Sequence, residues 1–456
     1  MKTLSKLFGS SGVRGLVNDN MTPVLAMQIG TAVGTYSKTK TVLVARDTRT
    51  SGQVLENALV AGLLSNGTNV KTLGILPTPT LAFLTSKMNA DAGIMITASH
   101  NPPQYNGIKI FTSESLAYSE RDQDQIERII TNQSFKRADW QHIGEAQSTD
   151  QTQHYVEMIT RSVQLHRKWH VVVDPGCGAT YRLAPTVLAA LGCKVTTLNA
   201  QPDGFFPARS PEPNKESLQP LAKTVKNLDA DVGLAYDGDG DRVAFIDEKG
   251  MLADFDRVLA AYSGYVTREN RGGIVVTNVE ASMCIDKMVE TNHGKVIRTK
   301  VGDIYLSEAI KKKKAIFGGE PCGAWIHPKF HYCPDGILTS TLLLKALEEK
   351  DEQLTEFISE TPRFETLRKN IPCNREAKHK IIKKVSEDFQ SVFKDNTGIS
   401  KVDGIRISLE DGWILIRESG TEPMIRLTVE GESLKTATNI MKKGIVLVEQ
   451  SAKEVN

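Results

Sequence analysis

The sequence predicts three related α/β domains followed by a C-terminal α+β domain, on three observations. At 456 residues the chain exceeds the size at which one hydrophobic core stops growing, so several domains are expected. One order of elements recurs three times: apolar strand, helix, second strand, third strand and a polar, glycine-containing loop. After Pro362 the character changes to a helical stretch followed by short alternating strands.

The first copy runs from Thr41-Val-Leu-Val-Ala through a helix over Gln53 to Ser65 and a strand over Val70 to Leu73. It ends at Ala92-Gly-Ile-Met-Ile and the loop Thr97-Ala-Ser-His-Asn-Pro102. The second begins at His170-Val-Val-Val-Asp, passes a helix over Leu183 to Leu191 and a strand over Lys194 to Leu198, and closes with Asp231-Val-Gly-Leu-Ala and Asp237-Gly-Asp-Gly-Asp241. The third starts at Gly273-Ile-Val-Val-Thr, passes a helix over Ser282 to Thr291 and the strand Lys295-Val-Ile-Arg, and ends at Ala315-Ile-Phe before the loop Gly318-Gly-Glu-Pro-Cys-Gly323. Strands alternating with helices predict mainly parallel pairing within mixed sheets. Ligand sites gather at strand ends in such sheets, so the polar loops can be aimed at one cleft. Three unrelated α/β segments of generic resemblance are the alternative.

The tail reads as a helix over Lys378 to Phe393, a turn at Asp395-Asn-Thr-Gly398, and strands through Val402, Ile405 and Ile407 and through Trp413 and Leu415. Its central loop, Arg417-Glu-Ser-Gly-Thr-Glu-Pro423, separates the strands Trp413 to Ile416 and Ile425 to Val429. The expected domains are therefore 1–150, 151–250, 251–365 and 366–456.

Composition narrows the classes. With 40% hydrophobic and 24% charged residues the chain has the make-up of a soluble globular protein, and 6% aromatics argues against a stacking surface for single-stranded nucleic acid. The net charge of +2, from 56 basic and 54 acidic residues, is too balanced for a surface that tracks a phosphate backbone. The run Lys311 to Lys314 follows an amphipathic stretch and reads as a helix C-terminus, where cations complement the dipole. Six scattered cysteines without a CxxC pair read as reduced intracellular thiols. Met1 to Gly15 lacks an apolar export signal and no apolar stretch is long enough to span a bilayer, so the cytoplasm is expected, without membrane or nucleic-acid partners.

Each loop has its own chemistry. Ser99 follows a strand and precedes Pro102-Pro103, which oppose helix continuation, so the serine is expected to be presented and not buried. Lys109 follows closely enough to return a cation toward it; an ordinary polar turn is the alternative. Asp237, Asp239 and Asp241 alternate with glycines, so their carboxylates can converge on a hard divalent cation, magnesium being the natural candidate. A calcium-binding EF-hand competes, because Glu248 stands at its twelfth position, but Arg242 occupies the sixth, where glycine is needed, and the flanks read as strands. Glu320 offers a carboxylate suited to sugar hydroxyls, while Cys322, His327, His331 and Cys333 lack a recognisable zinc spacing. His166 and His170 read as surface or core histidines. Arg417, Ser419, Gly420, Thr421 and Arg426 combine guanidinium groups, hydroxyls and a flexible backbone, which is how a phosphate is gripped without a nucleotide P-loop. A serine, a metal loop and a phosphate clamp together suggest phosphoryl transfer in a closing cleft.

All four loops, in this order, resemble the α-D-phosphohexomutase superfamily, whose patterns are close to TASHNP, DGDGDR, GExSG and RxSGTEP. The resemblance spans essentially the whole chain and includes Phe8-Gly-Ser-Ser-Gly-Val-Arg14-Gly and Arg46-Asp-Thr-Arg49-Thr-Ser-Gly. It implies that Ser99 is phosphorylated and completes a Mg2+ site with Asp237, Asp239 and Asp241, with Arg14, His100 and Lys109 around it. It further implies substrate contacts from Arg242, Gly302, Asp303, Glu320 and Cys322, and from Arg417, Ser419, Gly420, Thr421 and Arg426. The implied cycle donates the phosphoryl group to a phosphosugar, passes through a hexose 1,6-bisphosphate that also serves as activator, and returns the other phosphate to Ser99. Lys109, with His100 nearby, is expected to handle the proton of the attacking hydroxyl. The implied C-terminal fold is like that of the TATA-box-binding protein, and the expected state is monomer or homodimer. Two departures matter. Cys322 and Ala324 replace a usual serine and histidine, so His327 or His331 would have to supply that histidine if it is needed. Val301-Gly-Asp303-Ile-Tyr305-Leu is similar to the VGDRYV of phosphoglucosamine mutases, which leans toward their archaeal type and a glucosamine phosphate substrate. Phosphomannomutase or phosphoglucomutase activity is the alternative, and a metal-dependent phosphatase a more distant one.

Overall fold

Strands built from β-branched and aliphatic residues without polar alternation need cover on both faces, and Thr41–Arg46 and Ala92–Ile96 are buried throughout their centres accordingly. In the computed structural model, which describes residues 6–37, 40–374, 376–419 and 423–455, the chain divides into two units. One comprises Met1–Phe255 with Gly302–Ser359, the other Asp256–Val301 with Glu360–Asn456.

The first unit holds a six-stranded mixed sheet in the order Val13–Leu16, Tyr105–Thr112, Ala92–Ile96, Thr41–Arg46, Asn69–Ile75, Ala146–Ser148. Its middle pairs are parallel, while Tyr105–Thr112 runs antiparallel to both neighbours. Val42, Val44, Ile94, Ile96 and Ile108 pack against Leu55, Leu59 and Ile29 of the covering helices. A second mixed sheet follows, in the order Val243–Ile246, Val232–Tyr236, His170–Asp174, Lys194–Thr197. The helix Asp303–Lys313 ends in Lys311 to Lys313 with Lys314 in the left-handed region at φ 51°, the cationic helix end expected there. Residues 318–320, expected in a loop, belong instead to the strand Phe317–Glu320, which forms a hairpin with Ala324–Ile326. Antiparallel pairing of Glu320 with Ala324 leaves only Pro321, Cys322 and Gly323 to turn, with Gly323 at φ +86°.

In the second unit Gly273–Asn278 and Gly294–Thr299 pair in parallel. A five-stranded antiparallel sheet has the order Glu365–Pro372, Met424–Gly431, Gly412–Glu418, Ile405–Ser408, Gly398–Ser400. Ile414 and Ile416 face the helices Lys378–Val392 and Leu434–Val455, whereas Trp413 and Leu415, on the opposite face, pack on Val279. The expected strand through Val402 does not form. That residue is exposed in a bend, and Gly404 at φ +74° redirects the chain into Ile405. Three α/β domains with mixed sheets and an α+β tail are the fold class that the sequence predicts. Among the described residues no helix is long and apolar enough to cross a membrane.

Candidate active site

Glycine is what lets two loops of the first unit close on each other. A Cβ at Gly238 would stand 2.5 Å from the carbonyl oxygen of Ser99, and Gly240 adopts φ +75°, so the alternating Asp-Gly loop wraps the serine loop without side chains between them. Ser99 itself takes the left-handed region at φ 51°. Contrary to the expectation of a presented hydroxyl, it is 1% exposed, because the aspartate loop covers it. Its Oγ donates to Asp237 Oδ2 at 2.7 Å and lies 3.3 Å from His100 Nδ1.

Asp237, Asp239 and Asp241 are buried, and their ligand atoms lie within 4.8 Å of one another. Burial and the two neighbouring carboxylates push the Asp237 carboxyl far above its ordinary range. Asp239 is driven up by burial too, but Lys109 and Thr78 outweigh it and hold its carboxyl below the usual range. Thr78 Oγ1 donates to Asp239 Oδ2 at 2.5 Å. Lys109 Nζ donates to Asp239 at 2.9 Å and to Asp241 at 2.6 Å. Burial works against the Lys109 ammonium, yet the two carboxylates hold its pKa above the ordinary lysine range. Lys109, expected from the sequence to handle the proton of the attacking hydroxyl, is paired in this arrangement with two carboxylates. Burial, Arg242 and Arg14 keep the His100 imidazole neutral, at a pKa of about 2.

The donor set fits a hard cation. Asp239 Oδ1 and Asp241 Oδ1 are buried and make no hydrogen bond, so each leaves a carboxylate oxygen open to an ion, beside Asp237 and the Ser99 hydroxyl. The EF-hand alternative fails: the loop joins antiparallel strands, and Glu248 bonds to Thr355 outside the cluster. Among the described residues the zinc alternative has no support either, since Cys322, His327, His331 and Cys333 form no ligand cluster.

Arg14, on the strand Val13–Leu16, donates to Asn101 Oδ1 at 3.0 Å. Arg242 reaches Glu212 at 3.2 and 3.3 Å, and Glu212 lies 3.7 Å from His100. In the Gly302 to Asp303 turn, Gly302 at φ +132° donates its N–H to Glu320 Oε1 at 2.9 Å, and Asp303 Oδ1 accepts from Ser11 Oγ at 3.0 Å. Cys322 is half-buried, and burial pushes its thiol up to about 12. Neither proposed substitute for the missing histidine is open: His327 bonds to Thr339 and His331 to Asp335, both buried. His166 is exposed and His170 bonds to Thr196.

The clamp candidates lie in the second unit. Arg417 and Arg426 sit opposite each other on paired strands, and Arg417 Nη2 donates to Glu280 Oε1 at 2.5 Å. Ser419 is buried, and its carbonyl accepts from Lys378 Nζ at 2.6 Å. Gly420 and Thr421 lie outside the described residues. Sequence reading missed Thr78, Glu212 and Glu280 as neighbours of these groups, since nothing local marks them. Arg49 was visible only as part of a matched segment.

Comparison with known proteins adds a further finding. Residues 5–137, 153–250, 254–364 and 369–443 match, in turn, α/β/α domains I, II and III and the C-terminal domain of the phosphoglucomutase/phosphomannomutase models. The chain is 43% identical over 453 residues to the phosphoglucosamine mutase of Methanocaldococcus jannaschii, covering 98% of this chain and 99% of that protein. It is 42% identical over 453 residues to a probable phosphoglucosamine mutase of Pyrococcus abyssi, covering 99% of this chain and all of that one. A solved phosphoglucomutase/phosphomannomutase family protein from Burkholderia thailandensis superposes with a TM-score of 0.89 at 28% identity, covering 98% of this chain and 97% of that one.

Proposed function

The chain belongs to the phosphoglucomutase/phosphomannomutase family, and on that premise we propose that it is a phosphohexomutase that interconverts glucosamine 6-phosphate and glucosamine 1-phosphate through a phosphoserine at Ser99. The observation that carries the reading is the buried Ser99 hydroxyl, hydrogen-bonded to a carboxylate of a convergent triad.

In the proposed cycle a sugar hydroxyl oxygen forms a new bond to the phosphorus on Ser99 as the bond from phosphorus to Oγ breaks. The hydroxyl loses its proton, and the freed Ser99 Oγ takes one up. The product is a hexose 1,6-bisphosphate; after it turns end for end, its other phosphoryl group returns to Ser99. The same bisphosphate, supplied as activator, would prime an unphosphorylated chain. Asp237, Asp239 and Asp241 would hold Mg2+ together with the Ser99 phosphate, and the ion would supply positive charge against the negative charge on the transferring phosphoryl oxygens. Arg14 adds a cation, and Lys109, with His100 near Oγ, would handle the proton of the attacking hydroxyl. Arg242, Gly302, Asp303, Glu320 and Cys322 would contact the sugar. Arg417, Ser419, Gly420, Thr421 and Arg426 would grip the phosphate that is not reacting.

Two carboxylates, Asp303 and Glu320, flank one turn, which supports an ammonium-bearing sugar. One charge-assisted hydrogen bond contributes about 1.5 to 3 kcal/mol, roughly ten- to a hundredfold in selectivity. Balanced charge and scattered free cysteines fit a cytoplasmic enzyme acting on a small phosphosugar, as monomer or homodimer. A coupled assay of glucosamine, glucose and mannose 6-phosphates side by side, with a trace of bisphosphate, tests the reading. Glucosamine 6-phosphate should have the highest kcat/KM. A preference of about tenfold for either of the others would overturn the substrate assignment and leave the mutase assignment standing.

A further inference from the structure

Arg49 carries none of the roles given above, yet its side chain is 0% exposed and its donors all go to the serine loop and to Asp47. Nη2 donates to the carbonyls of Ser99 at 2.8 Å and Asn101 at 2.6 Å. Nη1 donates to those of Pro102 at 2.6 Å and Tyr105 at 2.9 Å. Nε bonds to Asp47 Oδ2 at 3.0 Å, while Asp47 Oδ1 accepts the Arg49 N–H at 2.9 Å. Asp47 Oδ2 also accepts from Thr97 Oγ1 at 2.7 Å, and that hydroxyl accepts the N–H of Ser99 at 2.8 Å. Ser99 is therefore held at both ends, its amide through Thr97 to Asp47 and its carbonyl by Arg49.

The chemistry of the loop explains why a guanidinium is used. The carbonyls of Asn101 and Pro102 precede Pro102 and Pro103, so those peptide units have no N–H to enter a regular ladder. A planar fork with five donors can satisfy several carbonyls at once, which a lysine ammonium cannot do from one point. A non-glycine residue at φ 51° costs on the order of 1–3 kcal/mol and persists only where its surroundings over-determine it. The Phe206 ring covers the guanidinium, with Cζ 5.2 Å from its centroid. Gly204 makes that cover possible, because a Cβ there would stand 2.4 Å from Thr50 N and 2.8 Å from Arg49 C.

We propose that Arg49, braced by Asp47, is a positioning residue that keeps Ser99 in its left-handed turn with Oγ against Asp237, so that the phosphoryl group stays aligned in both half-reactions. This role rests on the mutase reading of the site. Among the described residues the Arg49 side chain hydrogen-bonds only to Asp47 and to the carbonyls of Ser99, Asn101, Pro102 and Tyr105, so its loss acts on alignment and not on substrate binding.

The test compares wild type with Arg49→Lys and Arg49→Gln as full chains. A misplacement of about 1 Å at a reacting atom lowers kcat by roughly a hundredfold. That fall in kcat is expected with KM changed by less than about threefold. Faster amide hydrogen exchange confined to the peptide spanning residues 97–106 is expected in the same variants. Asp47→Asn, a milder change, should give the same pattern at smaller size if the arginine variants do not fold. Unchanged exchange in that peptide, unchanged kcat, or faster exchange across the whole first unit would each overturn the role. The exchange comparison does not depend on which reaction is catalysed. A wild type inactive on every hexose phosphate would therefore count against the proposed function, while the exchange result still decides the role of Arg49.

Discussion

The ion pair beside Ser99 is almost wholly withdrawn from water: Lys109 is 4% exposed and its partner Asp239 0%. Around Arg417 the same chemistry is half open, with the guanidinium 18% and its partner Glu280 31% exposed. A buried ion pair is retained only while both partners remain, because an uncompensated charge in a low-dielectric site is costly. A partly exposed pair is screened by water and can be exchanged for a ligand at small cost. The first region is thus preassembled before any substrate arrives, whereas the second keeps its guanidinium on an exchangeable partner.

Breaking the first region at its centre should have the largest effect. Ser99→Ala is expected to lower mutase turnover by at least ~10⁴-fold and to remove the phosphopeptide seen by mass spectrometry of fresh wild-type protein. Full activity in that variant would dismiss the phosphoserine. Next, EDTA should abolish turnover and magnesium restore it, and Asp239→Asn should lower kcat by about 10²- to 10³-fold at low magnesium. A rate unaltered at low magnesium would argue that Asp239 is not a ligand.

The contrast itself can be measured by unfolding in metal-free buffer. Lys109→Met removes the ammonium shared by two buried carboxylates and should destabilise the protein by about 3–5 kcal/mol, whereas Arg417→Met should cost less than about 1 kcal/mol. Equal losses in denaturant titrations would erase the distinction between the two regions. The smallest effect is expected at the sugar turn. Asp303→Asn should narrow the preference for glucosamine over glucose 6-phosphate by roughly tenfold, read as the ratio of kcat/KM values. A ratio equal to that of wild type would remove Asp303 from sugar selection.

Most elements were legible where the pattern is strong. Thr41–Arg46, His170–Asp174 and Gly273–Asn278 are apolar runs bounded by polar loops, and the helix Lys378–Val392 has a clear apolar face. No sequence period marks the strand Glu365–Pro372, because its residues are mostly exposed and polar or charged. It exists through the ladder it makes with Met424–Gly431. The closing helix Leu434–Val455 has a buried face that includes Ala437, Ile440, Met441 and Leu447.

Residue types and spacing alone single out which loops are suited to carry chemistry. Glycine between aspartates permits convergent carboxylates, consecutive prolines forbid a helix after Ser99, and hydroxyls with arginines at a strand turn suit an anion. Only the tertiary structure decided how those groups are held. Ser99 is buried because a loop from another sheet closes over it, and Lys109 is paired with two carboxylates of that same loop. Arg49 ties down three carbonyls of the serine loop and that of Tyr105 at the start of the next strand, in a way that no local pattern announces. Hydrogen bonds and charge pairing depend on distances between residues far apart in the chain, and spacing along the sequence does not encode those distances.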